Sequence, residues 1–211
     1  MKKFSFNIRR SILDSLKREL IISEDYLKFQ NKDTKENSFS TLNKEEIIAY
    51  RCGIRWISFR VTYGRDYQIY LKTVDKKVLK INFKSFFGKN RDLYQKKFKE
   101  IHDALWNCYF ADIVENYLTQ YKNGENFSIE NVRFDTHGIT ILVAGILKSQ
   151  DEHIKWEDVR THDYITYFSI YSDKNPSDIN RTYRYLEDWN TGILYSVLRT
   201  ILHQKGIEEY N

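Results

Sequence analysis

The fold class is decided by two stretches, Tyr67-Gln-Ile-Tyr-Leu71 and Val78-Leu-Lys-Ile-Asn-Phe83, which flank the polar turn Asp75-Lys-Lys77. In both stretches buried-type residues alternate with polar residues or tyrosine, which is the period of a strand with one buried face. A short polar turn between two such stretches is typical of an antiparallel hairpin. Residues 56–61 form another run rich in strand-forming residues. The sequence therefore predicts a predominance of antiparallel sheet.

The pattern changes at Asp92, after which apolar residues recur every three to four positions. This spacing predicts one long amphipathic helix that ends near Lys122, because Asn123-Gly124 supplies a helix stop. Strands are predicted again over 127–134 and 139–143, and a second helix from about Asp188. The fold class is therefore α+β. The second helix is expected to bury Ile193, Leu194, Val197, Leu198, Ile201 and Leu202.

The order strands, helix, strands, helix indicates an internal duplication. A shift of 112 positions places the acidic pair Glu45-Glu46 on Glu157-Asp158. A shift of 83 places Trp106-Asn107 on Trp189-Asn190, so that a Trp-Asn pair is predicted at the head of both helices. The two shifts differ by 29, which predicts about 29 extra residues in the first copy.

The second copy resembles the bacterial pleckstrin-homology-like (PH-like) family. The resemblance is carried by Phe134-Asp-Thr-His-Gly-Ile-Thr-Ile141, by the strand-like His153-Ile-Lys-Trp-Glu-Asp-Val159, and by Tyr167-Phe-Ser-Ile-Tyr171 before the helix. The first copy departs from the family pattern, with Lys44 at the position of Trp156.

The resemblance implies two PH-like modules in tandem, each an antiparallel half-barrel closed by a C-terminal amphipathic helix. Module 1 would cover residues 1–122, with an N-terminal extension (a strand with Phe4, Phe6 and Ile8, then a short helix with Ile12, Leu13 and Leu16), a Lys/Phe-rich insert and the long helix. Module 2 would cover residues 123–211. PH-like modules bind peptides and other proteins, so the resemblance also implies an adaptor or scaffold role.

Composition excludes several classes of protein. An apolar fraction of 41% supports a buried core, and only 8 glycines and 1 proline leave no flexible linker. No apolar run approaches the roughly 20 residues of a membrane-spanning helix, and polar residues interrupt any signal sequence after Lys2-Lys3. The 2 cysteines form no disulfide framework, so a cytoplasmic location is expected.

Motifs that carry chemistry are scarce. Phosphate-binding glycine loops and nucleophile elbows are absent from the sequence. His153 with Glu157 and Asp158, and His162 beside Asp163, offer metal-ligand types, but solvated strand residues are the favoured interpretation. Asp135-Thr-His-Gly138 is interpreted as a turn in which Asp135 caps the backbone and Gly138 supplies a positive φ. No catalytic residue, metal or cofactor is therefore expected, and an enzyme is not predicted.

Charge distribution is the most informative feature. The net charge is +5, but residues 72–99 contain ten lysines and arginines against two acidic residues, a net +8, whereas residues 100–211 carry a net −8. Basic residues beside aromatic ones can hold polyanions, although the aromatic residues Phe83, Phe86 and Phe87 could instead pack under the helix. Lysine outnumbers arginine here, which favours diffuse electrostatic contact. The candidate binding residues are Lys72, Lys76, Lys77, Lys80, Lys84, Phe86, Phe87, Lys89 and Arg91.

Three functions are therefore open. The favoured prediction is a non-catalytic binding or scaffold protein that engages a protein or an anionic partner, such as an acidic protein, membrane headgroups or nucleic acid. The alternative is a nucleic-acid-binding protein of defence or regulatory type, and the third is an enzyme with a site between the modules. A basic first copy and an acidic second copy could also meet head to tail, so self-association is a further expectation.

Overall fold

The chain folds into two compact units, which cover Met1–Ala111 and Asp112–Asn211. The structure is a computed structural model that describes residues 2–11, 14–30, 39–144 and 149–207. Ile12, Leu13 and the end of the apolar run at 145–147 lie outside the described residues. Unit 1 carries a net charge of +11 and unit 2 a net charge of −6. The basic first part of the sequence and its acidic second part thus fall mainly in different compact units.

Unit 1 contains two antiparallel sheets, each a meander of neighbouring strands. The first sheet has the order β1-β2-β3-β4 and the second the order β5-β6-β7. A single 3₁₀ turn, Lys44–Glu46, connects them. The strands are β1 (Lys3–Ile8), β2 (Arg18–Ser23), β3 (Tyr26–Phe29), β4 (Ser40–Asn43), β5 (Ile47–Phe59), β6 (Thr62–Thr73) and β7 (Val78–Phe86).

Unit 2 repeats this order of elements. Its first sheet is β8-β9-β10-β11, the 3₁₀ turn Trp156–Asp158 follows, and its second sheet is β12-β13-β14. The strands are β8 (Phe127–Ile129), β9 (Val132–Phe134), β10 (Gly138–Val143), β11 (Gln150–Lys155), β12 (Val159–Asp163), β13 (Tyr167–Ser172) and β14 (Asn180–Arg184). None of the four sheets closes on itself within the described residues. The fold is α+β, as predicted.

The helices differ in detail from the prediction. The expected single helix from Asp92 to Lys122 consists of α1 (Arg91–Leu105), a π-helical turn (Trp106–Phe110) and α2 (Ala111–Lys122). The second predicted helix is α3 (Thr191–Gln204). Its buried residues are the six that periodicity predicted, together with Thr191. Amphipathic spacing therefore identified the buried face correctly but not the local change in hydrogen bonding.

The predicted Trp-Asn alignment is wrong. Trp106 lies in the π-helical turn, well inside the helical segment, whereas Asn190 is the residue that precedes α3. The residue that precedes α1 is Asn90, and both asparagines adopt the left-handed conformation, with φ of 57° and 53°. The starts of α1 and α3 are therefore 100 positions apart, whereas the strands that precede them are offset by 112 positions. Unit 1 thus contains 12 extra residues between these strands and its helix, instead of the predicted 29. The strands β5, β6 and β7 have 13, 12 and 9 residues against 5, 6 and 5 in unit 2, and shorter connections in unit 1 offset part of this difference.

Three local predictions also need correction. Residues 127–134 form a hairpin, β8–β9, because Glu130 adopts a positive φ of 53° and turns the chain. Residues 153–159 are not one strand, since Trp156–Asp158 form a 3₁₀ turn. The N-terminal strand is present as β1, but residues 14–17 contain no helix.

Candidate binding surface on unit 1

The second sheet of unit 1 carries most of the candidate residues, and its two faces differ. In β7 the odd-numbered residues from Leu79 to Ser85 are buried, while the even-numbered residues are at least partly exposed. Phe83 is only 1% exposed and packs on Tyr67 and Tyr94, with ring centroids 5.2 and 5.5 Å apart. Phe83 is therefore a core residue that packs under the helix.

The opposite, outer face of this sheet is strongly basic. Strand register places Arg51, Tyr70 and Lys80 in one row across β5, β6 and β7, and Arg55, Asp66 and Lys84 in another. The Tyr70 ring lies between two cations, 4.8 Å from Arg51 Cζ and 5.3 Å from Lys80 Nζ. We call this surface the cationic face, defined by Arg51, Arg55, Lys72, Lys80 and Lys84.

A polar network at the centre of the cationic face contacts two of its cations, Arg55 and Lys84. Gln68 is 1% exposed; its Nε2 donates to Asp66 Oδ2 at 2.6 Å, and its Oε1 accepts from Tyr70 OH at 2.8 Å and from Arg55 Nη2 at 3.3 Å. Lys84 Nζ lies 3.7 Å from Asp66 Oδ2. Buried polar groups are costly unless they are paired, and Asp66 Oδ1 has no hydrogen-bond partner among the described residues, so this network is only partly satisfied. The face carries five cations and one carboxylate, Asp66, so its net charge is positive.

The sequence-predicted site residues fall into three places. Lys72, Lys80 and Lys84 belong to the cationic face, whereas Lys76 and Lys77 lie in the β6–β7 turn, where Lys77 pairs with Asp75 at 2.6 Å. The remaining residues lie at the other end of β7 (Phe86), in the turn into α1 (Phe87 and Lys89) and at the start of α1 (Arg91). Since a strand rises about 3.3 Å per residue, the 9 residues of β7 separate the two ends by roughly 26 Å.

That far end exposes a cluster of apolar side chains, of which only Phe87 was predicted from the sequence as a binding residue. Trp56 is 64% exposed, Val61 85% and Phe87 51%, and Phe59 and Tyr63 are also exposed. We call these five residues the aromatic end. Arg65 Cζ lies 4.4 Å from the Trp56 ring, and a cavity of about 290 Å³ opens beside them. The signal was present in residues 56–61, where both alternating sets contain apolar residues and no single buried face can be assigned.

In unit 2 the histidines and carboxylates considered above as metal ligands contact different partners. His153 Nε2 lies 3.2 Å from Asp135 Oδ2, whereas the His162 ring packs on Tyr164 with centroids 4.4 Å apart. Lys174 Nζ lies 2.7 Å from Asp158 Oδ2. The described residues include no group of three or more His, Cys, Asp or Glu side chains that could hold a metal ion.

Asp135 caps its turn, as predicted. Its Oδ1 accepts from the backbone N–H groups of His137 and Gly138 at 2.7 and 2.9 Å. Burial would raise the pKa of Asp135, but these two donors and His153 outweigh it and lower the pKa. The role predicted for Gly138 is wrong, since Gly138 has no positive φ. A Cβ at Gly138 would instead lie 2.0 Å from the carbonyl oxygen of Ile154, so close strand approach is what requires glycine.

Neither cysteine is placed for nucleophilic chemistry. Cys52 is only partly exposed in β5, and burial of its thiol raises the pKa to about 12. Cys108 is buried in the π-helical turn. Thiolate is the reactive form of cysteine, so these environments suppress reactivity.

No protein family matches the chain, and no curated protein shows significant similarity to it. None of the described helices is both long and apolar enough to cross a membrane.

Proposed function

We propose that the protein is a non-catalytic binding protein and that unit 1 engages an anionic partner through the cationic face. The observation that carries the proposal is that strand register places five cations and one buried carboxylate on the same sheet face. The net charge of +11 on unit 1 adds a long-range attraction for polyanions. Lysine favours diffuse electrostatic contact, and the partner class that we propose for it is an acidic protein surface.

A pair of PH-like modules would suit this role. In its favour, each unit has a four-stranded sheet, a 3₁₀ turn, a three-stranded sheet and a helix in the same order. PH-like modules are used for binding proteins and anionic ligands, so the resemblance and the surface chemistry lead to the same proposal. Fold likeness alone does not fix function, and the charge arrangement carries the argument.

The test compares two charge reversals of equal size. Lys76→Glu with Lys80→Glu changes the cationic face and its adjoining turn, whereas Lys96→Glu with Lys99→Glu changes the exposed surface of α1. Binding of fluorescent poly-L-glutamate is measured by anisotropy at 50 and 200 mM salt. We expect the first variant to weaken binding about 10-fold at low salt and the control variant much less. Equal losses would mean that net charge alone drives the contact, and the proposal would fail.

Nucleic acid is the second candidate, because Tyr70 and Phe86 place rings among the cations on the same face. A single strand that neutralised all five cations would give a slope of about −3.5 in a plot of log affinity against log salt. A gel-shift series in rising salt measures this slope. A slope near zero would remove the nucleic-acid alternative.

A further inference from the structure

Among the described residues, strand β5 has one neighbouring strand in its sheet. It is the longest strand described, with 13 residues, and it pairs with β6 along one edge. Its residues from 51 to 59 are partly or fully exposed. Edge strands are normally short or protected by proline, because their free backbone groups pair readily with other chains. Residues 51–59 contain no proline, so none of their backbone N–H groups is missing from the strand.

The register shows which backbone groups of β5 face outward. The two-residue turn Arg60-Val61 closes the pair Phe59–Thr62, which is a hydrogen-bonded pair in such hairpins. Alternate residues of β5 therefore bond to β6, and the others direct N–H and C=O away from it. A hydrogen bond of Tyr63 confirms which set points outward. The backbone N–H of Phe87 donates to Tyr63 O at 2.9 Å, so the backbone of Tyr63 bonds on the β7 side and does not bond to its pair in β5, Ser58.

The outward set is Cys52, Ile54, Trp56 and Ser58. Within the described residues of unit 1, their backbone N–H and C=O groups have no hydrogen-bond partner. Each of these residues is at least partly accessible. The edge therefore offers four successive positions for the ladder of an added strand, which is a recurrent way to bind an extended peptide.

The side chains along this edge determine the chemistry of the occupant. Arg51 and Arg55 lie on the outer side of the sheet, whereas the apolar Ile54 and Trp56 lie on the other side, and Trp56 lines a cavity of about 290 Å³ farther along the strand. Two copies of β5 would bring arginines together on one face, which disfavours pairing between copies. Opposite charges on a directly facing strand are stabilising, so the edge suits an acidic partner.

We propose that β5 is the docking edge for an extended acidic segment of a partner protein, which adds to the sheet β5-β6-β7 as a fourth strand. The segment carries acidic residues opposite Arg51 and Arg55 and apolar residues opposite Cys52 and Ile54. Its pattern is acidic, apolar, any residue, apolar, acidic. This inference rests on the proposed function and names the partner class of the same surface.

The probe is a fluorescent, end-capped peptide with the core Glu-Val-Tyr-Val-Glu, and its control is Val-Glu-Tyr-Glu-Val, which has the same composition with the charges on the other face. We expect the probe to bind the full chain at least 10-fold more tightly than the control in fluorescence polarisation. Equal affinity would indicate diffuse attraction and overturn strand addition while the cationic-face proposal stands. Failure of poly-L-glutamate to bind would overturn the proposed function itself.

Backbone methylation tests the ladder directly. In an added strand only alternate amides face β5, at the two valines if the strand is antiparallel. N-methylation of both valines should then abolish binding, and N-methylation of the tyrosine should leave it within about 2-fold; a parallel strand reverses the two results. Loss confined to one set supports the proposal. Loss in both sets, or in neither, would overturn it.

A protein variant gives an independent result. Ile54→Pro removes an N–H that points away from β6, and proline is tolerated on such an edge. Ile54→Ala is the matched control, because it shortens the side chain and keeps the N–H. With folding verified by circular dichroism, we expect Ile54→Pro to weaken the probe at least 10-fold more than Ile54→Ala. Equal losses of probe affinity in the two variants would refute docking of a partner segment. So would a dimer of the native chain that Ile54→Pro dissociates.

Discussion

Replacement of Phe83 and of Phe87 by alanine should have very different effects on stability, although both residues belong to the same Lys/Phe-rich segment. Phe83 is 1% exposed and contacts the Tyr67 and Tyr94 rings. Removal of a buried phenylalanine costs about 3–5 kcal/mol, because the transfer free energy is lost and a cavity remains. Phe87 is 51% exposed and meets one ring, Tyr63, edge-on at 5.5 Å. A single aromatic pair of this kind contributes about 1 kcal/mol.

Urea unfolding followed by far-UV circular dichroism measures the difference. With an m-value of about 2 kcal/mol/M, Phe83→Ala should lower the midpoint of the affected transition by about 2 M and Phe87→Ala by about 0.5 M. The m-value should be unchanged in Phe87→Ala, which serves as the control for compactness. Similar midpoints for the two variants would refute the assignment of Phe83 to the core and of Phe87 to the surface.

Three further predictions follow from local geometry. Gly138→Ala places a Cβ 2.0 Å from the Ile154 carbonyl oxygen, so we expect it to destabilise unit 2 by roughly 2 kcal/mol in thermal unfolding, and a neutral result would contradict the close approach. Burial raises the pKa of Cys52 to about 12, so its reaction with a thiol reagent at pH 8 should be at least 100-fold slower than that of a free thiol, unless urea is added. The hydrogen bonds from Lys77 and Thr73 lower the pKa of Asp75 from 3.8 to about 2. Its stabilising contribution should therefore be complete above pH 3.8 and be lost as the pH falls through about 2; an NMR titration of the carboxyl carbon with a midpoint near 3.8 would refute this.

Most helices and strands were predictable from the sequence, because the spacing of apolar residues follows the period of the strand or helix that they form. The buried face of α3 and the hairpin β6–β7 were both predicted in this way. The Trp-Asn alignment failed for a different reason. The identity of two adjacent residues says nothing about backbone conformation, and the equivalent positions are Asn90 and Asn190, which share a left-handed φ.

The candidate surface was predicted only in part. Lys80 and Lys84 were found because they lie in a run of high positive charge, whereas Arg51 and Arg55 lie some 30 positions earlier in the chain. The register of β5 on β6 brings the two groups onto one face. No local pattern contains that register, so charge counting along the chain could not have completed the set.

The sequence by itself determined the α+β class, the strand and helix periods, and the concentration of positive charge in the first half of the chain, since these are properties of local residue order. The tertiary structure alone decided that Phe83 is core, that Gln68 and Asp66 contact Arg55 and Lys84, and that Cys52 to Ser58 of β5 pair on one edge only within the described residues. The physical reason is that burial and strand pairing depend on contacts between residues distant in sequence. Those contacts decide which lysines and arginines share the cationic face and which strand borders it.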